Sequence, residues 1–421
     1  MNDQSDDAEM TSDEPPPRAD REVARRTYRW DLLRGGMQGI VEACIYTFGL
    51  LIAIRVFDAP DLLKALLPGS YSLGLLLSPV ALMIGSRLGG TAGRMCAFCS
   101  LVSGLAMLGV IAARELSGYL FYIVLYAIFL AQTVSLLTKI YATNYSVDER
   151  GSKYSTAVFL SGVVSAAFAY IGGIILDIDI GLYRWLFLIA ALALFVNVFA
   201  YCRMPAVRIF RVQHGKWGSD FKLALRDRVF VLILIAWMFQ GFGQVMTLPI
   251  RIEYLANERY GINATNEQIS VVMGVVPFVT YILATKVWGF VFDRWNFVTL
   301  RITSNLIAVV SIFTVFFTSS LWIIGFGMAM YGVSLAGGRI LWQLWVVQIA
   351  PSDQVSSYMG VHVAFTGVRG TLAPFVAYLL VGLSDPRFVG WTAIALIIIG
   401  ICLMLPHRKR FGPVLTRVPR R

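Results

Sequence analysis

The sequence predicts an all-α polytopic membrane protein, with twelve transmembrane helices in two pseudo-symmetric six-helix bundles. Three observations lead there: a composition too apolar for a water-soluble domain, twelve apolar runs of spanning length, and an internal repeat dividing those runs six and six. The 421 residues are 57% hydrophobic and 14% charged, with a mean hydropathy of +0.69. A soluble domain carries nearer a quarter charged residues.

Residues 1–29 are acidic, polar and proline-bearing. They predict a disordered cytoplasmic tail and lack the apolar core of a cleavable signal peptide. Runs of about 18–25 mostly apolar residues then fall near 35–54, 63–84, 95–113, 117–142, 154–176, 182–202, 229–250, 268–287, 300–318, 321–348, 357–380 and 389–406. The spacing divides the chain into an N-terminal bundle (30–202), a basic cytoplasmic linker (203–228), a C-terminal bundle (229–406) and a basic tail (407–421).

An even number of spans places both termini on one side. Of 36 Lys and Arg, 25 fall on that side and four lie within spans. Seven lie opposite: Arg55, Lys64, Arg114, Arg184, Arg251, Arg259 and Arg387. Basic residues are retained in cytoplasmic loops, so both termini are expected in the cytoplasm. A compact chain with short loops suggests a bacterial inner (plasma) membrane and a monomer whose standing partner is the lipid bilayer. The net charge of +11 sits largely in the linker and the C-terminal tail, where anionic headgroups account for it. No nucleic-acid partner is expected.

Enzymatic and metal chemistry find little support. "CAFC" at 96–99 has the spacing of a redox or metal pair, but no second pair and no His adjoins it, so it reads as packing. The three histidines are scattered: His214 in the linker, His407 in the tail, and His362 alone near the start of the eleventh span. There is no nucleophile–base constellation and no phosphate-binding glycine loop. Neither a cofactor nor a metal is expected.

The halves echo one another at an offset of about 202–205 residues. "MQGIVEA" (37–43) matches "FQGFGQV" (239–245), setting Gln38 against Gln240 and Glu42 against Gln244. "GSRLGGTAGR" (85–94) matches "GFVFDRWNFVTLR" (289–301), and "SVDERGSKYSTAVFLSG" (146–162) matches "PSDQVSSYMGVHVAFTG" (351–367). Three matches in one order, between the same spans, mark a duplicated six-helix unit.

Two six-span halves with parallel repeats, a basic central loop and cytoplasmic termini resemble the major facilitator superfamily, over roughly residues 30–406. The family's Gly-x-x-x-Asp-Arg loop is similar to "GFVFDR", which supplies Gly289, Asp293 and Arg294. The first half keeps Gly85, Arg87 and Arg94 but has Gly89 where the family has Asp. Such a loop can act as a latch: the glycine permits close helix approach, the Asp complements a helix N-terminus and the Arg pairs across. The resemblance implies a transporter whose first and fourth spans of each half line a central cavity.

Charged residues inside spans are expected to face that cavity, because hydrocarbon penalises them by several kcal/mol. Lys139 and Lys286, near span ends, can snorkel. Glu42, Arg339 and Arg369 cannot. At a rise of 1.5 Å per residue they lie about 10, 14 and 18 Å from the cytoplasmic helix ends, so one chamber can hold all three. Arginine binds carboxylate or phosphate bidentately and keeps its charge when buried. The expected substrate is therefore a small organic anion, held by Arg339 and Arg369 with Gln38, Gln132, Gln240, Gln244, Trp342 and Gln343 completing the site. Glu42 would exchange a proton (H+) or form an ion pair. The predicted function is secondary active transport by alternating access, in a symport mode if Glu42 carries the proton. A non-transporting protein of the same fold, such as an assembly factor, sensor or lipid-handling protein, is the rival reading.

Overall fold

In hydrocarbon every backbone N–H and C=O must be satisfied within the segment, so a chain this apolar crosses as helices. The computed structural model describes residues 18–87, 90–208, 224–292, 294–351 and 354–410. Among them are twelve helices long and apolar enough to span a membrane.

Helix α1 runs Arg18–Ala43, passes through a π-helical turn at Cys44–Phe48 and ends at Gly49–Arg55. A short turn at Asp61–Lys64 leads into α2, Leu66–Arg87. Then come α3 (Ala92–Ala112), α4 (Leu116–Asn144), α5 (Val147–Ile178) and α6 (Tyr183–Arg203). The second half holds α7 (Arg228–Ala256), α8 (Asn266–Ser270, a π turn at Val271–Val275, and Val276–Phe292) and α9 (Phe297–Phe316). It closes with α10 (Leu321–Ile349), α11 (Val355–Leu383) and α12 (Pro386–Met404).

Helix α1 starts well before the expected boundary, so residues 18–29, read as tail, are helical. The stretch follows a proline run and is rich in Arg, Ala and Glu, which favour helix. Arg26 Nε donates to the Arg203 carbonyl at 3.0 Å, tying this extension to the end of α6. The acidic stretch 1–17, the linker core 209–223, Gly89 and the Asp293 of the latch loop lie outside the described residues, as does the side chain of Gln343.

The halves pack by one plan. Helix α1 lies on α5 and α6 as α7 lies on α11 and α12; α3 lies on α4 and α6 as α9 lies on α10 and α12. Close approach of α1 and α5 needs glycine at Gly35 and Gly39. A Cβ there would stand 2.8 Å from the Ala157 carbonyl and 2.2 Å from that of Ser161. Carbonyls flanking the π turn of α1 are satisfied by buried phenols, Tyr126 donating to Val41 O (2.9 Å) and Tyr119 to Gly49 O (2.6 Å).

Between the halves, α2 meets α11 and α5 meets α8. The polar contacts that join them cluster on the side opposite the chain termini, here the distal side. Lys64 Nζ pairs with Glu253 at 2.7 Å and with Asp61 at 2.9 Å. Asp177 accepts from the backbone N–H groups of Asn266 (2.6 Å) and Glu267 (2.9 Å), capping α8 from the other half. Arg55 donates to the Asn266 side chain and to the carbonyls of Ala264 and Ala256. The distal end is thereby fastened shut.

Candidate functional site

Glu42 lies on the same stripe of α1 as Gly35 and Gly39; half-buried, it accepts a hydrogen bond from Ser161 Oγ of α5 at 3.3 Å. Gln38, one turn earlier, also interacts with its carboxylate, and the charges of Arg339 and Arg34 reach it. The irregular π turn begins two residues later, a feature frequent at functional sites.

Arg339 comes from the other half. Its side chain keeps accessible surface although it sits within α10, between Leu321 and Ile349. Its guanidinium carbon stands 5.4 Å from the ring centre of Tyr281 of α8, and it interacts electrostatically with Glu42 and with Tyr154 of α5. Tyr46 and Tyr71, edge to face at 6.2 Å, interact with both Glu42 and Arg339. Tyr331 adds a further phenol near Arg339. Among the described residues no ion pair within 4.0 Å closes Glu42 onto an arginine. Because the distal end is fastened, the exposed surface of Arg339, Tyr46 and Tyr154 is reached from the terminal side. One carboxylate and one guanidinium from opposite bundles thus border a chamber walled by tyrosines. It can hold an anionic group on Arg339 while hydroxyls and ring faces meet the remainder.

The other residues singled out by sequence have different surroundings. Gln132 is buried and donates to the carbonyls of Gly74 (2.7 Å) and Ile128 (2.9 Å), bonding α4 to α2. Gln240 accepts from Arg301 Nε at 2.9 Å, and Gln244 donates to Asn305 at 2.9 Å, bonding α7 to α9. Arg369 is buried and donates to the Trp237 carbonyl at 2.9 Å, away from Glu42 and Arg339. Trp342 is half-buried with its ring 5.1 Å from that of His362. In the latch loops Arg294 turns back on its own helix, donating to the Phe290 carbonyl and lying 3.4 Å over that ring. Nothing lies within 4 Å of a Cβ built at Gly289, Gly85 is buried, and Arg87 is exposed.

Sequence reasoning passed over the tyrosines. Tyr46 carried a signal, lying four residues after Glu42, but Tyr71, Tyr281 and Tyr331 converge from three separate helices and leave no common spacing. Arg301, at the start of the ninth run and not singled out in the sequence, is buried in the first turns of α9.

Residues 241–418 match the family model of the Major Facilitator Superfamily. The duplicated six-helix plan extends the same architecture over the whole chain. The C-terminal bundle matches the major facilitator superfamily, and the chain as a whole has that fold. Solved facilitator structures overlay along nearly its full length at low identity, as expected where packing pattern rather than residue identity is retained. The nucleoside transporter NupG, in a mutant form, is 12% identical with a TM-score of 0.74, over 91% of this chain and 99% of that one. A bacterial homologue of the human lysosomal transporter Spinster, inward-facing and occupied, is 14% identical with a TM-score of 0.66, over 96% and 98%. The human organic anion transporter MFSD10 is 15% identical with a TM-score of 0.62, over 93% and 100%. No curated protein sequence matches the chain.

Proposed function

We propose that this protein is a secondary active transporter moving a small organic anion across a bacterial inner membrane, coupled to protons, with both termini cytoplasmic. The observation that carries the reading is Arg339: a guanidinium within a membrane-spanning helix that keeps accessible surface, facing a carboxylate of the other bundle without a direct ion pair. A charge so placed is retained for a mobile partner, and arginine suits a carboxylate or phosphate. Charge balance assigns Glu42 its part. With Arg339 positive and Glu42 negative the fixed charges of the chamber cancel, and an arriving anion leaves one negative charge in excess. A proton on Glu42 restores neutrality, so anion and proton cross together. Gln38 and Trp342 orient the organic body alongside the tyrosines.

The arrangement described, fastened distally and reached from the terminal side, is the inward-facing one. In it the latch arginine Arg294 is folded onto its own helix; it would reach across when the cytoplasmic ends close. One of the structural relatives is an organic anion transporter, which is consistent with the substrate class.

Purified protein in proteoliposomes tests this. A panel of labelled organic acids, under an inward proton gradient, should show accumulation that collapses with the gradient. Arg339→Gln and Glu42→Gln should each reduce it more than tenfold with unchanged protein yield. Thermal stabilisation by amphipathic cations alone, lost in Glu42→Gln, would overturn the anion assignment.

A further inference from the structure

A second group of charges lies inside the C-terminal bundle and is not accounted for by the chamber. Arg301 of α9 is 4% exposed and Arg369 of α11 is 8% exposed. Both guanidiniums rest on one residue of α7. Arg301 stacks 3.6 Å over the Trp237 ring, and Arg369 donates to the Trp237 carbonyl at 2.9 Å. The absence of a side chain at Gly241 makes the space for this, since a Cβ there would stand 1.9 Å from Arg369 Nη1. His362, 1% exposed, has its ring centre 5.5, 5.1 and 5.0 Å from those of Trp237, Trp342 and Trp345.

What these groups lack is an acceptor. Among the described residues no carboxylate pairs with either arginine; the charges acting on His362 are the two guanidiniums, and Arg369 acts on Arg301. Asp227 is linked to the group through Phe230 and Tyr358. It is occupied in capping α7, accepting from the N–H groups of Val229 and Phe230. Arg369 Nε, both His362 nitrogens and the indole nitrogens of Trp237 and Trp345 have no partner. The carbonyl acceptors in contact are taken, Gln240 Oε1 by Arg301 and the Trp237 carbonyl by Arg369.

The N-terminal bundle solves the same problem with a fixed counter-charge. There Arg34, equally buried, pairs with Asp31 at 2.7 Å, and Tyr141 donates to that carboxylate at 2.8 Å. Tyr141 and Trp345 stand at the repeat offset, so the second bundle has a hydrogen-bond donor at the matching place but no acid. Two guanidiniums that stay protonated in a dry interior are strongly unfavourable unless an opposite charge meets them. A cluster dominated by guanidinium and indole donors, with its carbonyl acceptors used and an imidazole able to turn its N–H inward, is complementary to an anion.

We propose that Arg301, Arg369, His362, Trp237 and Trp345 form a buried site for a small monovalent inorganic anion of the chloride type, a resident counter-ion of the C-terminal bundle distinct from the transported solute. The aromatic walls and near-complete burial favour a compact ion over an organic one. A single negative charge is also less costly to dehydrate than a divalent oxyanion.

The full-length protein in detergent, exchanged into sodium gluconate, is titrated with chloride or bromide at constant ionic strength. The thermal unfolding midpoint should rise saturably. Bromide should quench tryptophan fluorescence over the same concentration range. Arg369→Gln and Arg301→Gln should abolish the saturable response. Trp237→Phe and Trp345→Phe, which keep a ring but remove a donor, should each shift its midpoint about fivefold; they carry the test if an arginine variant does not fold. Arg339→Gln should lose transport yet keep the halide response, separating this site from the chamber. A wild type with no saturable halide response overturns the proposal. So does a response unchanged in Arg369→Gln and Trp237→Phe, or one lost in Arg339→Gln.

Discussion

Replacing Lys64 by methionine should part the two bundles on the distal side, and replacing its partner should do so far less. The asymmetry follows from what each charge retains. Glu253 has a fully buried side chain; without Lys64 it keeps the Asn257 amide at 2.6 Å and the neighbouring Tyr378 hydroxyl but no cation. Stranding one member of a buried pair costs about 3–5 kcal/mol. Allowing for the amide, about 3 kcal/mol remains, roughly a hundredfold bias toward arrangements that let water reach Glu253. In Glu253→Gln, by contrast, Lys64 keeps Asp61 at 2.9 Å, 28% exposed, and the Tyr378 ring at 5.5 Å. The loss there is about 1 kcal/mol, a hydrogen bond's worth. The double variant Lys64→Met, Glu253→Gln should return toward wild type, because no unpaired charge remains. Spin labels at Leu62→Cys and Glu258→Cys, exposed distal positions on opposite halves, report the separation once the exposed Cys202 and Cys402 are replaced by serine. Lys64→Met should shift the population to longer distances. An unchanged distribution, or a larger shift in Glu253→Gln than in Lys64→Met, would refute the reasoning.

Three further outcomes follow from the packing. Gly39→Ala should lower the thermal midpoint of the detergent-solubilised protein, by about 1–3 kcal/mol in stability, because its Cβ meets the Ser161 carbonyl at 2.2 Å. Gly289→Ala should be neutral or stabilising by up to about 1 kcal/mol, since that position has open space and gains helix propensity; equal losses at both positions would contradict the α1–α5 contact. Asp31→Ala should destabilise by about 3–5 kcal/mol by stranding Arg34, and Asp31→Leu combined with Arg34→Met should recover most of it; thermal unfolding of the three proteins side by side decides.

The membrane class, the twelve spans and the division into two like halves were already legible in the chain, because each rests on local quantities. Hydropathy summed over about twenty residues decides whether a segment can span, and a duplicated gene leaves its offset in the residues themselves. Glu42 and Arg339 were conspicuous for the same reason, being charges where hydrocarbon penalises them. What surrounds them was not legible. Arg369 looked like a third member of the chamber by depth along its helix, but depth does not give the azimuth of a side chain. Packing turns it into the C-terminal bundle, onto the gap at Gly241. The glutamines carried no mark separating a helix-bonding amide from a cavity-facing one; Gln132 and Gln240 are spent between helices, while Gln38 stays beside Glu42. The tyrosines of the chamber come from α1, α2, α5, α8 and α10, and the company of Arg301, His362 and Trp237 from three more turns of chain far apart in sequence. Side chains that meet only across helices are brought together by close packing, a property of the folded whole that no window along the chain records.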